Sequence, residues 1–237
     1  SSHYDENIWL ASNGGGIGGY WGDVRSDGTS TSHGSKSTGS IPFMKVVDSQ
    51  MLAFNQGTTR RGSYAAYMDV SHPEIEEFLF MRKSSGGDTN RKCLNLHHGI
   101  NITDKFMECV SKNVDWDLID PHSKQKIKSI SARELWRLIL ETRHETGEPY
   151  LHFIDTSNKH LPEKQKEAGL KVNQSNLCSE ITLPTSEDRT AVCCLSSVNL
   201  AQYDEWSMSA TFIPDMIRML DNVLEHFIQA TYDFVYD

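Results

Sequence analysis

Asn176, Cys178 and Glu180 place an amide, a thiol and a carboxylate at alternate positions of one short stretch, Asn176-Leu177-Cys178-Ser179-Glu180-Ile181-Thr182-Leu183-Pro184-Thr185. In an extended chain successive side chains point to opposite faces, so these three share a face while Leu177, Ser179 and Ile181 turn the other way. Such a face has a definite chemistry. The amide can hold a hydroxyl by hydrogen bonds, the carboxylate can accept its proton, and the sulfur can act as a nucleophile or as a hydrogen-abstracting radical. Fifteen residues after Cys178, the run Ala191-Val192-Cys193-Cys194-Leu195-Ser196-Ser197-Val198-Asn199-Leu200 adds two further thiols. Neighbouring side chains diverge, so at most one of Cys193 and Cys194 faces the same cavity as Cys178. A cysteine among apolar neighbours is often only a small buried hydrophobe. On the residues alone, that reading and the reactive one stand level at Cys178.

These groups need a framework, and the patterning supplies an α/β one. Residues 14 to 40 are rich in Gly, Ser and Thr, which reads as backbone of close approach followed by a long mobile loop. Phe43, Val46, Val47, Met51, Leu52 and Phe54 recur at helical spacing, and that helix stops at Gln56-Gly57 and delivers a second loop, 55 to 63. Tyr64 to Val70 reads as a strand, and Ser71 as the N-cap of a helix with Pro73 in its first turn. His98 to Ile102 reads as a strand, Thr103 to Lys112 as a helix, and Tyr150 to Ile154 as a strand. Ser131-Ala132-Arg133-Glu134 has capping-box spacing, with Gly147 closing the helix that follows. Phe212 to Val235 reads as one long amphipathic helix, mostly facing a core. In an alternating α/β fold, glycine-rich turns at strand ends are where ligands bind.

Composition narrows the function. The 237 residues, 38% hydrophobic and 23% charged, suit one large globular domain or part of a larger one. A formal charge of −9 argues against a nonspecific nucleic-acid binder, so any phosphate site must be local, with Arg25, Arg60 and Arg61 near glycines as the candidates. Five scattered cysteines do not make a secreted disulfide framework and point to a reducing, cytoplasmic setting. No apolar run is long enough for a membrane span and no signal pattern opens the chain. Adjacent His97 and His98 diverge on a strand and His72 belongs to a helix start, so no metal site is expected at them.

Asn-Leu-Cys-x-Glu-Ile-x-Leu-Pro-Thr at 176 to 185, followed by Cys-x-Leu-Ser-x-x-Asn-Leu at 193 to 200, resembles the catalytic large subunit of class I ribonucleotide reductases. The resemblance extends through Gly14-Gly15-Gly16-Ile17-Gly18, Ile41-Pro42-Phe43, Asn55-Gln56-Gly57 with Arg60-Arg61-Gly62, Ser71-His72-Pro73 with Glu76-Glu77-Phe78-Leu79, and Tyr150-Leu151. Ordered motifs along nearly the whole chain are far more specific than one glycine pattern. The resemblance implies part of a ten-stranded α/β barrel, roughly its first half with the central finger loop and flanking helices. It also implies reduction of ribonucleoside diphosphates to deoxyribonucleotides. Cys178 would become a thiyl radical that takes the ribose 3'-hydrogen, Glu180 would deprotonate the 3'-hydroxyl, and Asn176 would orient the ribose hydroxyls. Cys193 would be one of two reducing thiols, and at Gly16 the backbone would approach the substrate. Arg25 would contact the phosphates of a dNTP or ATP effector at a dimer interface, and Gln56 and Arg60 would read its base in a specificity loop at 54 to 63.

The partners implied are a radical-generating, metal-containing small subunit, thioredoxin or glutaredoxin as reductant, a second copy, and complementary large-subunit fragments. The resemblance covers an internal slice, without the second reducing thiol, the radical-transfer tyrosines or the C-terminal cysteine tail of the family. The isolated chain is therefore expected not to turn over. A nucleotide-binding or assembly module without activity of its own is the alternative from another class. An unrelated cysteine hydrolase is the third, and it lacks an identifiable histidine to activate Cys178.

Overall fold

The structure, a computed structural model, describes residues 2–54 and 60–236. By contact it divides into two units, one ending at Thr185 and one beginning at Ser186. The first runs α1 (Ser2–Ser12), β1 (Gly16–Tyr20), α2 (Ile41–Ala53), β2 (Ser63–Asp69), α3 (Ile75–Phe80), β3 (His97–Ile102), α4 (Asp104–Lys112), β4 (Asp115–Ile119), β5 (Lys126–Ser131), α5 (Ala132–Thr146), β6 (Tyr150–Phe153), α6 (Ile154–Lys159) and α7 (Glu163–Glu167). Four strands form one parallel sheet in the order β1-β2-β3-β6, while β4 and β5 make a separate antiparallel hairpin. The fold is the expected mixed α/β, and the sheet is an open piece of wall with β1 and β6 at its edges.

In-register parallel strands put paired residues on the same face. Tyr64, Ala66 and Met68 of β2, with Ile100 and Ile102 of β3, are buried in one cluster with Ile41, Met44, Val47 and Met51 of α2, Phe78 and Leu79 of α3, and Leu135 and Ile139 of α5. Each fully buried side chain of this size contributes about 1.5–3 kcal/mol, so this helix-covered face holds the sheet together. The opposite face is polar: Tyr20, Tyr67, Asp69, Asn101 and His152 line it. That asymmetry leaves the polar face for another segment to cover.

The helix boundaries follow their local signals. Thr103 caps α4 through Phe106 N, Ser131 caps α5 through Glu134 N, and Gly147 closes α5 at φ +79°. Ser71 does not cap α3. That helix begins at Ile75 after Glu74, which makes no side-chain cap, and the Ser71 carbonyl instead accepts from Ile119 N at 2.8 Å. Ile154 opens α6 rather than ending β6. The second unit contains α8 (Tyr203–Trp206) and α9 (Phe212–Tyr236). The predicted length of α9 holds, but its apolar stripe is not covered: Ile213, Ile217, Val223, Leu224, Phe227 and Ile228 are all exposed. Among the described residues no helix is long and apolar enough to cross a membrane.

His97 and His98 diverge along β3 yet meet one carboxylate. Glu148, just before β6, accepts from His97 Nδ1 at 2.5 Å, His98 Nδ1 at 3.0 Å and His98 N at 3.1 Å. Burial would raise the Glu148 pKa, but the bonds from both histidines and the Arg82 charge hold it down at about 2, while burial lowers that of His98. Both shifts have the same sign in acid. The neutral, buried His98 loses its advantage as the unfolded chain takes up protons below pH 6.5. The Glu148 contribution, on the order of 3 kcal/mol, is present above about pH 4.5 and is lost as the pH falls toward 2. Thermal unfolding followed from pH 7.5 to 3.5 should show a Tm that declines below pH 6.5 and more steeply below 4.5. A flat Tm across that range would remove this cluster from the stability of the sheet.

Candidate functional site

A segment after α7 crosses the polar face of the sheet and folds back on itself. Its base is fixed where Asn101 Nδ2 donates to the Asn173 carbonyl at 2.7 Å and Asn173 Nδ2 donates to the Thr185 carbonyl at 3.1 Å. Further along, Asn176 N and Ser175 Oγ donate to the Ile181 carbonyl at 3.2 and 2.7 Å, which closes the two limbs into a loop. The tip is a turn: Ser179 N donates to the Asn176 carbonyl at 3.3 Å, and Ser179 has a left-handed φ of +71°. The expected extended run through 176 to 180 is therefore replaced by a turn, and strict alternation does not govern which side chains converge. The competing force is the Asn176 side chain. Its Oδ1 accepts from Glu180 N and Ile181 N, both at 3.1 Å, an arrangement that favours a turn over a strand.

The turn nevertheless keeps Asn176, Cys178 and Glu180 on one short loop, with the Asn176 amide oxygen bonded to the Glu180 backbone amide and Cys178 between them. Cys178 and Glu180 are exposed at the tip, so the thiol is not packed into hydrocarbon. Cys178 lies within electrostatic range of Tyr150, and Glu180 within that of Tyr67. Because Asn176 Oδ1 is committed to the turn, what it can offer a ligand is its Nδ2 donor.

The glycines of β1 allow the loop to lie this close. A Cβ on Gly18 would sit 2.3 Å from the Ser175 carbonyl oxygen and 2.9 Å from Asn176 Cα. One on Gly16 would sit 2.6 Å from Leu177 Cδ2, so Gly16 serves first as a seat for Leu177. Leu177 over the first residue of β1 sets the loop tip toward the amino-terminal edge of the sheet. That is the opposite edge from the one at which α/β folds usually bind ligands.

The segment from Val24 to Ser40, expected to be mobile, is held at several points. His72 Nε2 donates to the Val24 carbonyl at 2.8 Å, leaving Nδ1 to accept from Glu74 N at 3.1 Å. Buried Asp120, in the β4–β5 turn, accepts from Ser26 N, Ser26 Oγ and Thr29 Oγ1 at 2.9, 2.7 and 3.1 Å through one oxygen, and from His122 N and Ser123 N through the other. Burial pushes the Asp120 pKa up, but the bonds from Ser123 and Ser26 outweigh it and keep the carboxyl well below its usual range. Glu74 accepts from Ser40 N and Oγ at 2.9 and 3.0 Å. Sequence reasoning missed these clasps and the hairpin that carries Asp120. The alternation of Trp116 and Leu118 with acidic neighbours was a signal for the hairpin, whereas no local pattern points to a contact 94 residues away.

Arg25 is half-buried in this loop, donating to the Ser30 carbonyl at 3.3 Å. Arg60 is exposed just before β2, and Gln56 lies outside the described residues. Arg25 follows the carboxyl end of β1 and Arg60 precedes the amino end of its parallel neighbour β2, so the two stand at opposite edges of the sheet. Arg60 shares its edge with the loop tip. Cys193 is exposed in the second unit.

The family model described as ribonucleotide reductase, barrel domain, matches residues 1–233. The putative ribonucleoside-diphosphate reductase large subunit of Frog virus 3 is 55% identical over 226 residues, 95% of this chain and 39% of that protein. The large subunit of Invertebrate iridescent virus 3 is 43% identical over 81% of this chain and 39% of its own length. A solved structure, the class Id ribonucleotide reductase alpha subunit of Actinobacillus ureae, superposes with a TM-score of 0.78 at 32% identity, covering 96% of this chain and 38% of that one. The chain thus spans about two-fifths of the length of these relatives. The match runs through the sheet, the clasped loop and the Cys178 turn alike, and the chain belongs to the ribonucleotide reductase barrel-domain family.

Proposed function

We propose that this chain supplies the radical-bearing loop and the effector loops of a ribonucleoside-diphosphate reductase, which makes deoxyribonucleotides for DNA synthesis. The observation that carries the reading is the turn at 176–181, which exposes a thiol and a carboxylate two residues apart over a polar sheet face. Cys178, converted to a thiyl radical through a metal-containing small subunit, takes the 3'-hydrogen of the ribose. Glu180 takes the 3'-hydroxyl proton and Asn176 Nδ2 donates to a ribose hydroxyl. The 2'-hydroxyl then leaves as water. Two thiols, Cys193 being one, supply two electrons and two protons and close to a disulfide, so one C–O bond is exchanged for one C–H bond. Cys178 returns the 3'-hydrogen, and thioredoxin or glutaredoxin reopens the disulfide.

Regulation would use the loops at either end of α2. Arg25 and Arg60 lie at opposite edges of the sheet, and α2, with 13 residues, is about 20 Å long, so one copy does not place both on one nucleotide. Two copies packed along antiparallel α2 helices would bring the Arg25 loop of one beside the Arg60 loop of the other. The exposed apolar residues Phe43, Val46 and Leu52 of α2 suit that role. A dNTP or ATP effector held there would be read by Gln56 and Arg60. Arg60→Ala should change the ratio of kcat/KM between purine and pyrimidine substrates under a fixed effector by about tenfold. An unchanged ratio would take Arg60 out of specificity.

The reading is tested by assembling the chain with the remaining large-subunit segments and a radical-generating small subunit, then measuring deoxynucleoside diphosphate formed from ribonucleoside diphosphate. Turnover that requires this chain is the expected result. Effector binding without turnover would leave it as an assembly module.

A further inference from the structure

We propose that Tyr67 and Asn101 are positioning residues for Cys178, holding the loop that carries it by two backbone carbonyls. This rests on the functional reading above and names the part of the sheet that aims the thiol. Tyr67 Oη donates to the Asn176 carbonyl at 2.8 Å, two residues before the sulfur. Its ring fills the space left by Gly99, where a Cβ would lie 2.5 Å from Tyr67 Cε1, so the phenol is seated against the β3 backbone. Burial pushes the Tyr67 pKa up to about 12, which keeps it a donor at any working pH.

Asn101 is buried and fully engaged. Its Nδ2 donates to the Asn173 carbonyl at 2.7 Å and to Asp69 Oδ1 at 2.9 Å, and its Oδ1 pairs with His152 Nδ1 at 2.8 Å. Each partner is fixed in turn: Tyr20 Oη donates to Asp69 Oδ2 at 2.6 Å, and His152 Nε2 pairs with Ser157 Oγ at 2.8 Å. With Nδ1 donating to Asn101, His152 is in one tautomer, and the amide of Asn101 can point only one way. The network spans β1, β2, β3, β6 and α6, so every strand of the sheet helps to fix the base of the loop. A buried polar network satisfied at each member rigidifies what it touches. Neither residue touches the reacting atoms; they act through the Asn173 and Asn176 backbone.

Tyr67→Phe separates positioning from packing, because it keeps the ring over Gly99 and deletes only the oxygen. In the assembled reductase we expect kcat to fall roughly tenfold with KM for the ribonucleotide within about twofold, since misplacing a reactive group costs rate rather than binding. Hydrogen exchange at the Glu180 and Ile181 amides should accelerate while exchange at the β2 and β3 amides is unchanged. Asn101→Asp, which puts a carboxylate against Asp69 and the Asn173 carbonyl, should give the same split at a larger stability cost. An unchanged kcat in Tyr67→Phe overturns the proposal, as does a loss that only tracks the folded fraction or that appears in KM. Cys178→Ser is measured alongside. If it turns over normally, the functional reading itself has failed; if it is inactive while Tyr67→Phe is normal, only the positioning role has failed.

Discussion

Replacing Cys178 by serine should abolish nucleotide reduction while leaving the fold and effector binding intact. The hydroxyl is nearly the size of the thiol, and position 178 is exposed at a turn whose hydrogen bonds come from Asn176 and Ile181, so the variant disturbs no packing. What changes is the bond: an O–H is too strong to be converted to a radical under conditions that oxidise a thiol. The loss should be complete, on the order of 10^6-fold or more, down to the uncatalysed background. The Arg25 loop is fastened by His72, Glu74 and Asp120, none of which belongs to the Cys178 turn, so its affinity for an effector should be unchanged. The check is single-turnover deoxynucleotide formation by the assembled reductase beside equilibrium binding of a dNTP. Serine at 178 with measurable turnover would exclude the thiyl assignment.

The parts of this fold that were legible are those whose cause is local. Thr103 and Ser131 cap their helices through their own hydroxyls, and Gly147 adopts the left-handed geometry its type favours, whereas of the apolar positions read as the stripe of α2 only Val47 and Met51 are buried and Phe43, Val46, Leu52 and Phe54 are exposed. The Cys178 stretch was legible in its residues and not in its shape. Alternation assumes an extended backbone, and the Asn176 amide oxygen overrides it by drawing in two amides four and five residues ahead. The tight turn still keeps residues 176, 178 and 180 on one short loop, with Cys178 and Glu180 exposed at its tip.

The clasped loop shows the opposite limit. Composition from Gly28 to Ser40 reads as mobile, and local propensity is all that composition reports. Its order comes from Asp120 and Glu74, acids placed by β4–β5 and by the turn after β2, so it exists only once those elements have packed. The stripe of α9 makes the same point in reverse: amphipathic spacing forecasts a helix and an apolar face, but not what lies against that face.

The two glycines of β1 should differ sharply when each is replaced by alanine. At Gly18 the new methyl meets backbone, the Ser175 oxygen at 2.3 Å and Asn176 Cα at 2.9 Å, so about 1 Å of separation must be found. The strand cannot supply it. Gly18 is paired with Ala65 of β2, and its neighbour Gly19 is backed by the Tyr64 hydroxyl, which Trp21 Nε1 holds at 3.0 Å. The loop must therefore move, carrying Cys178 away from the position that the proposed hydrogen abstraction requires. A displacement of about 1 Å in a reacting group can cost about 100-fold in kcat, and that is the loss expected of Gly18→Ala. At Gly16 the methyl meets only the end of the Leu177 side chain at 2.6 Å, which can turn to another rotamer, so Gly16→Ala should stay within about tenfold of the parent. If Gly16→Ala proves the more damaging of the two, and damages KM, then substrate rather than Leu177 occupies the space above Gly16, and the seating of the loop on β1 is not what places the thiol.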